Sequence, residues 1–160
     1  MTGRFSARVV FVRVNSMLLV PTIVAPSPIA GFGLYAAEPI PAGTVWWKFV
    51  EGFDKVLTPA EVEALPPLAK SHITTYAYLW KGCWIHCADH AIFTNHSDNP
   101  NSYGIYPNAD VFGWSVAKRD IAKGEEITED YRTFCDDWES YPFLMPPVAN
   151  GAGPLSIGAA

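Results

Sequence analysis

Short apolar runs punctuated by proline and glycine fill the first fifty residues. Residues 16–24, 33–37 and 44–50 are rich in β-branched and aromatic side chains and are separated by Pro26-Ser27-Pro28 and Pro39-Ile40-Pro41-Ala42-Gly43. This pattern predicts strands joined by turns. Thr58-Pro59-Ala60-Glu61 predicts a helix start: the Thr hydroxyl can cap a backbone N–H, Pro suits the first helical position, and Glu61 completes a capping box. Pro66-Pro67 ends that helix. Leu68, His72, Ile73, Tyr76, Leu79 and Trp80 then recur near helical spacing, predicting a second helix that ends near Gly82, so residues 58–81 form a helical insert. Residues 83–87 and 103–117 read as further strands, and 95–101 as a polar loop of the kind that carries function. Residues 146–160 are mainly Pro, Gly and Ala without charge, which predicts a flexible tail.

Composition narrows this picture to one folded unit. The chain has 160 residues, 49% hydrophobic and 17% charged, and folding at that length buries roughly 68–70% of the chain surface. A net charge of −5 argues against a phosphate backbone as principal partner and against direct nucleic-acid binding. Eight acids and two bases lie between Asp120 and Glu139, either as a solvated acidic face or as a field that attracts a cationic peptide. Three cysteines cannot all pair, which favours a reducing compartment. Arg13 and Asn15 interrupt the apolar stretch near the N-terminus, so export is not expected, no membrane span is expected, and the expected location is cytoplasmic. Met17 is an alternative start, which would leave residues 1–16 as an extension outside the fold.

Three separated segments carry the candidate chemistry: Gly31-Phe32-Gly33-Leu34, then Asn95-His96-Ser97-Asp98-Asn99-Pro100-Asn101, then Gly124-Glu125-Glu126-Ile127-Thr128-Glu129-Asp130-Tyr131. The Gly-x-Gly alone is a tight turn, since no further glycine or helix follows to cradle a phosphate. In this order, with Arg119 to Gly124 and Ile40 to Thr44 as flanking matches, the segments resemble the SET-domain protein lysine methyltransferases over residues 17–134, and in particular their compact, free-standing bacterial members. The resemblance implies a mainly β fold, the β-clip SET fold, with several small sheets, a knot-like C-terminal core and a short helical insert. It implies methyl transfer from S-adenosylmethionine to the ε-amine of a lysine in a basic protein or peptide, such as a histone or histone-like protein. Such transfer needs a neutral amine, although free lysine has a pKa of about 10.4, so the site must desolvate and align it.

By the same resemblance Tyr131 is the catalytic tyrosine and also touches the cofactor. Gly31, Phe32, Gly33, Leu34, Asn95, His96 and Trp138 are the other expected cofactor contacts. Asn95 could equally satisfy backbone groups of the knot, and Asn101 is expected mainly to do so. Tyr76, Tyr78, Tyr103, Tyr106, Glu129 and Phe134 are candidates for the substrate channel. The chain departs from the family at Glu129, where an aromatic residue is usual. It also lacks the cysteine-rich zinc segments of many relatives, so the aromatic segment 135–145, adjoining Phe134, is expected to close the site. These departures leave a second reading, a catalytically degenerate module on the same fold that docks basic proteins. Cys83, His86, Cys87, His90 and His96 invite a zinc reading, but on one strand Cys83 and Cys87 would stand about 13 Å apart at roughly 3.3 Å per residue, so no metal site is expected.

Overall fold

A computed structural model describes residues 18–106 and 112–144. The expected extension 1–16 and the tail 146–160 lie outside the described residues. Among the described residues there are ten short strands, two helices and four 3-10 turns, the strands arranged in two three-stranded and two two-stranded sheets. The mainly β expectation therefore holds.

Strands β1 (Thr22–Pro26) and β2 (Phe32–Ala36) form an antiparallel hairpin. Its loop closes where Ser27 N–H donates to Gly31 O, with Gly31 at φ 46°. β3 (Val45–Lys48) pairs with β9 (Trp114–Ala117), which pairs with β8 (Ser102–Ile105). A register shift between Val45 and Trp47 interrupts the alternation of faces, and both Trp46 and Trp47 are buried. The third sheet joins β4 (Lys55–Leu57), β6 (Cys83–His86) and β5 (Tyr78–Trp80).

Helix α1 (Pro59–Glu63) starts as the sequence predicts, with Glu61 N–H donating to Thr58 Oγ1 and Thr58 N–H donating to Glu61 Oε2. Helix α2 (Pro67–Tyr76) differs from expectation: it stops at Tyr76, and Ala77 is extended at φ −109°, ψ 156°. The remainder of the expected helix is β5. Lys81 and Gly82 both have positive φ and turn β5 into β6, the geometry of a two-residue primed hairpin turn. The aromatic and apolar Tyr78, Leu79 and Trp80 thus serve a strand, and their spacing from Ile73 only imitated a helical repeat. Leu68, expected on the packed face, is 88% exposed.

The last pairing brings distant segments together. β7 (Asn95–His96) and β10 (Thr128–Glu129) are parallel, and Ser97 N–H donates to Glu129 O. The same C-terminal segment bonds to β2 on its other side, through Ile127 N–H to Leu34 O and Ala36 N–H to Glu125 O. Residues 124–129 therefore lie between two earlier segments, as the knot-like expectation requires. Leu34, Ala36, Ile40, Trp46, Ala117, Ile121 and Ile127 form the core around this junction. No helix among the described residues is long and apolar enough to cross a membrane.

Candidate active site

A cavity of about 450 Å³ opens where the hairpin loop, β3, the α2–β5 junction and the knot strands meet. That volume falls in the range of small-molecule and cofactor sites. Its wall is predominantly aromatic, with Trp46, Trp47 and Trp114 from the central sheet, Phe93 from the 3-10 turn His90–Phe93, and Tyr131 and Phe134 beyond β10.

Asp130 separates Tyr131 from β10 and caps the 3-10 turn Tyr131–Thr133 that Tyr131 opens. Its hydroxyl donates to Thr94 O at 2.7 Å, which aims the oxygen lone pairs away from that carbonyl. Its backbone N–H donates to His96 Nδ1 at 3.2 Å, and the two rings meet edge to face. Burial first, then the charges of Glu129, Cys135 and Glu126, push the phenol well above its ordinary pKa. Tyr131 is therefore a neutral, fixed hydroxyl at neutral pH.

The cavity brings together Gly31, Phe32, Asn95, Tyr76, Tyr78, Tyr106, Glu129, Tyr131 and Phe134 from the residues expected on sequence. Tyr141 and Phe143 of the closing segment also reach it. The other expected site residues lie elsewhere. Leu34 is fully buried in the core. Gly33 has a structural requirement of its own: a Cβ there would meet Glu126 Oε1 at 2.2 Å. His96 stands behind Tyr131 and does not line the cavity. Tyr103 is 44% exposed, because alternation along β8 gives its neighbour Gly104 the cavity side. Trp138 lines a separate shallow depression with Trp80 and Arg132, one 3-10 turn too far along the chain.

Asn95 shows why its role was open in the sequence. Its Nδ2 donates to Phe32 O at 3.0 Å and to Glu126 Oε1 at 2.7 Å, and reaches Ala30 O at 3.3 Å. The amide thus ties the hairpin loop to the knot while its residue lines the cavity. Asn101 is structural: it is 2% exposed, donates to Glu125 Oε1 and Glu126 O, and accepts from Thr128 N–H.

The acidic run is neither a free surface nor simply an attracting field. Seven of its eight acids accept hydrogen bonds inside the chain: Asp120, Glu125, Glu126, Glu129, Asp130, Asp136 and Asp137. Arg119 beside Glu125 holds that carboxyl down, to about 2. Glu129 goes the opposite way, raised by burial against the opposing hydrogen bonds of Ser115 and Ser102. Among the described residues no group of three His, Cys, Asp or Glu side chains gathers as metal donors.

A cavity of this volume, with Asn95 and the Gly31-Phe32 backbone on its wall, has the size and polar groups that S-adenosylmethionine, the cofactor the resemblance implies, would need. Thr94 Oγ1, beside it, is buried without a hydrogen-bond partner. Sequence reasoning missed Thr94 and the tryptophan pair Trp46-Trp47. Two adjacent tryptophans in one predicted strand were the available signal, since a regular strand would expose one of them.

Comparison with known proteins assigns the class. The SET domain family model matches residues 31–132, and the chain belongs to that family. A curated relative, histone-lysine N-methyltransferase ATX2 of Arabidopsis thaliana, is 32% identical over 127 residues, covering 69% of this chain and 11% of the relative. The chain thus spans about a tenth of that relative's length. Two solved structures share the fold. A Plasmodium falciparum protein, PFL0690c, is 22% identical with a TM-score of 0.52, covering 70% of this chain and 93% of that one. A chain of Chaetomium thermophilum Polycomb Repressive Complex 2 bound to GSK126 is 19% identical with a TM-score of 0.58, covering 76% and 17%.

Proposed function

We propose that this protein transfers a methyl group from S-adenosylmethionine to a lysine ε-amine of a basic protein, with Tyr131 as the catalytic residue. The observation that carries the reading is the Tyr131 hydroxyl, buried on an aromatic cavity wall and held by Thr94 O at 2.7 Å. Family membership and the histone-lysine N-methyltransferase relative support the same reaction class.

Bound S-adenosylmethionine would supply an electrophilic methyl group. The loop residues Gly31 and Phe32, with Thr94 and Asn95, would hold it, and the Asn95 tie to Phe32 O and Glu126 keeps that loop in place. The tyrosine-rich side of the cavity, with Tyr78 and Tyr106, would receive the lysine stem. Burial there disfavours the charged ammonium, and a fixed phenol oxygen orients the amine lone pair toward the methyl carbon. Phe134 and, from the closing segment, Tyr141 and Phe143 line the cavity and would help exclude water from the bound substrate.

Calorimetric titration with S-adenosylmethionine and transfer of radiolabelled methyl to core histones test this. Micromolar cofactor binding with label on lysine is expected. Tyr131→Phe should cut turnover about 100-fold or more while cofactor affinity stays within about threefold, because one fixed polar group contributes on that scale at the transition state. Cofactor binding without transfer to any basic protein would favour a degenerate docking module.

A further inference from the structure

The cavity wall contains one carboxyl group and, among the described residues, no Lys, Arg or His. That carboxyl is Glu129, which stands at a position where an aromatic residue is usual in the family. It is 7% exposed, and its Oε1 accepts from Ser102 Oγ at 2.9 Å, while Ser102 in turn accepts from Trp46 Nε1 at 2.7 Å. Ser115 of β9 lines the same cavity and also favours the ionised carboxylate. The groups that bond to Glu129 or share its part of the structure are neutral: Ser102 as its hydrogen-bond donor, and on the cavity wall Ser115 of β9, Tyr78 of β5, Tyr106 after β8, Cys87 after β6 and Tyr131 from its own segment. Among the described residues no cation lines the cavity to compensate its charge.

A cavity of this kind has room for one positive charge, and the substrate proposed above brings one. From this geometry we infer that Glu129 is the proton acceptor for the incoming lysine ammonium. The inference rests on the proposed methyl transfer and deepens it. An ammonium and a carboxylate are both penalised by burial, so enclosing the pair together favours the neutral amine and the neutral acid. In the step an N–H bond of the ammonium breaks, an O–H bond forms on Glu129, and the electron pair stays on nitrogen, available for attack. The proton returns to solvent between turnovers. The hydrogen bond from Ser102 favours the ionised form and opposes the effect of burial.

The pH profile of methyl transfer reads this directly. In the wild type the rate should rise through the ionisation of Glu129, above the ordinary carboxylate range. Glu129→Gln should lower the rate about 100-fold at neutral pH, on the scale of a lost proton acceptor. The deficit should shrink toward about pH 10, where lysine loses its proton in water. Ser102→Ala should move the wild-type limb to higher pH, because it removes a bond to the ionised form. A second readout needs neither variant nor turnover. Infrared difference spectra of the wild type, with a lysine peptide against the same peptide carrying norleucine, should show a carboxylate band replaced by a carboxylic-acid band. A pH-independent loss in Glu129→Gln, or a carboxylate band that persists with lysine bound, would overturn the inference while leaving the methyltransferase reading intact. Absence of transfer by the wild type to any basic protein would overturn both.

Discussion

The helical part of the insert, residues 58–76, and the shorter C-terminal stretch, residues 119–131, differ in the distances over which their hydrogen bonds run. In the helices they are mostly local: Thr58 and Glu61 cap each other three residues apart, and Thr74 and Thr75 bond carbonyls within one turn. α2 buries no residue completely. In the C-terminal stretch most bonds reach across the chain, to Asn101, to Asn95, to Ser27 and to the backbone of β2. The insert can therefore be altered piece by piece, whereas the knot loses several distant contacts when one residue changes. The cavity lies between the two, and the residues with the clearest chemical roles, Tyr131 and Glu129, come from the knot.

Four perturbations would break or sharpen this contrast. Asn101→Ala should have the largest effect, destabilising by about 3 kcal/mol, since a buried amide leaves Thr128 N–H and Glu126 O without partners. Thermal or urea unfolding would register it, and a loss below about 1 kcal/mol would show that water replaces the amide. Gly33→Ala should cost about 2 kcal/mol by driving a Cβ into the Glu126 carboxyl, whose displacement also frees Asn95 and Ser27. Cofactor affinity should fall with it, and a double-mutant cycle with Glu126→Ala should show strong coupling.

Thr58→Ala should cost about 1 kcal/mol through the lost cap and leave cofactor affinity unchanged. Altered cofactor binding in that variant would mean the insert is not independent of the site. The smallest effect is electrostatic, about 1 kcal/mol or less for a pair as exposed as Arg119 and Glu125. Glu125 is held down to about 2 in the folded chain, so its contribution is present above the ordinary carboxylate pKa and disappears as pH falls toward 2. Glu125→Gln should flatten the fall in Tm over that window. Glu129 has the opposite sign: its pKa is raised, so its ionisation weakens the fold as pH rises through the folded value.

How much was legible in the sequence depended on the range of the interaction. The cap at Thr58, the turns at Gly31 and Gly43, and the strand character of residues 22–26 and 45–48 follow from local sterics and appear as read. The three motif segments were legible through resemblance, and the structure brings Phe32, Asn95 and Tyr131 to one cavity. What failed was orientation. Nothing in the order of residues says that Tyr103 turns outward while Tyr106 turns inward, that Trp138 falls past the cavity, or that a bulge turns both Trp46 and Trp47 inward.

The sequence by itself determined most of the element types, the family and the set of polar residues available for chemistry, because propensity, capping and motif order are written over a few neighbouring positions. Tertiary structure decided the tasks of those residues. Glu125, Glu126 and Glu129 are three glutamates within five positions, yet one pairs with Arg119, one fastens the hairpin loop, and one stands alone on the cavity wall. Their differences come from burial and from partners far away in the chain, and those are set only when the C-terminal segment is laid between β2 and β7.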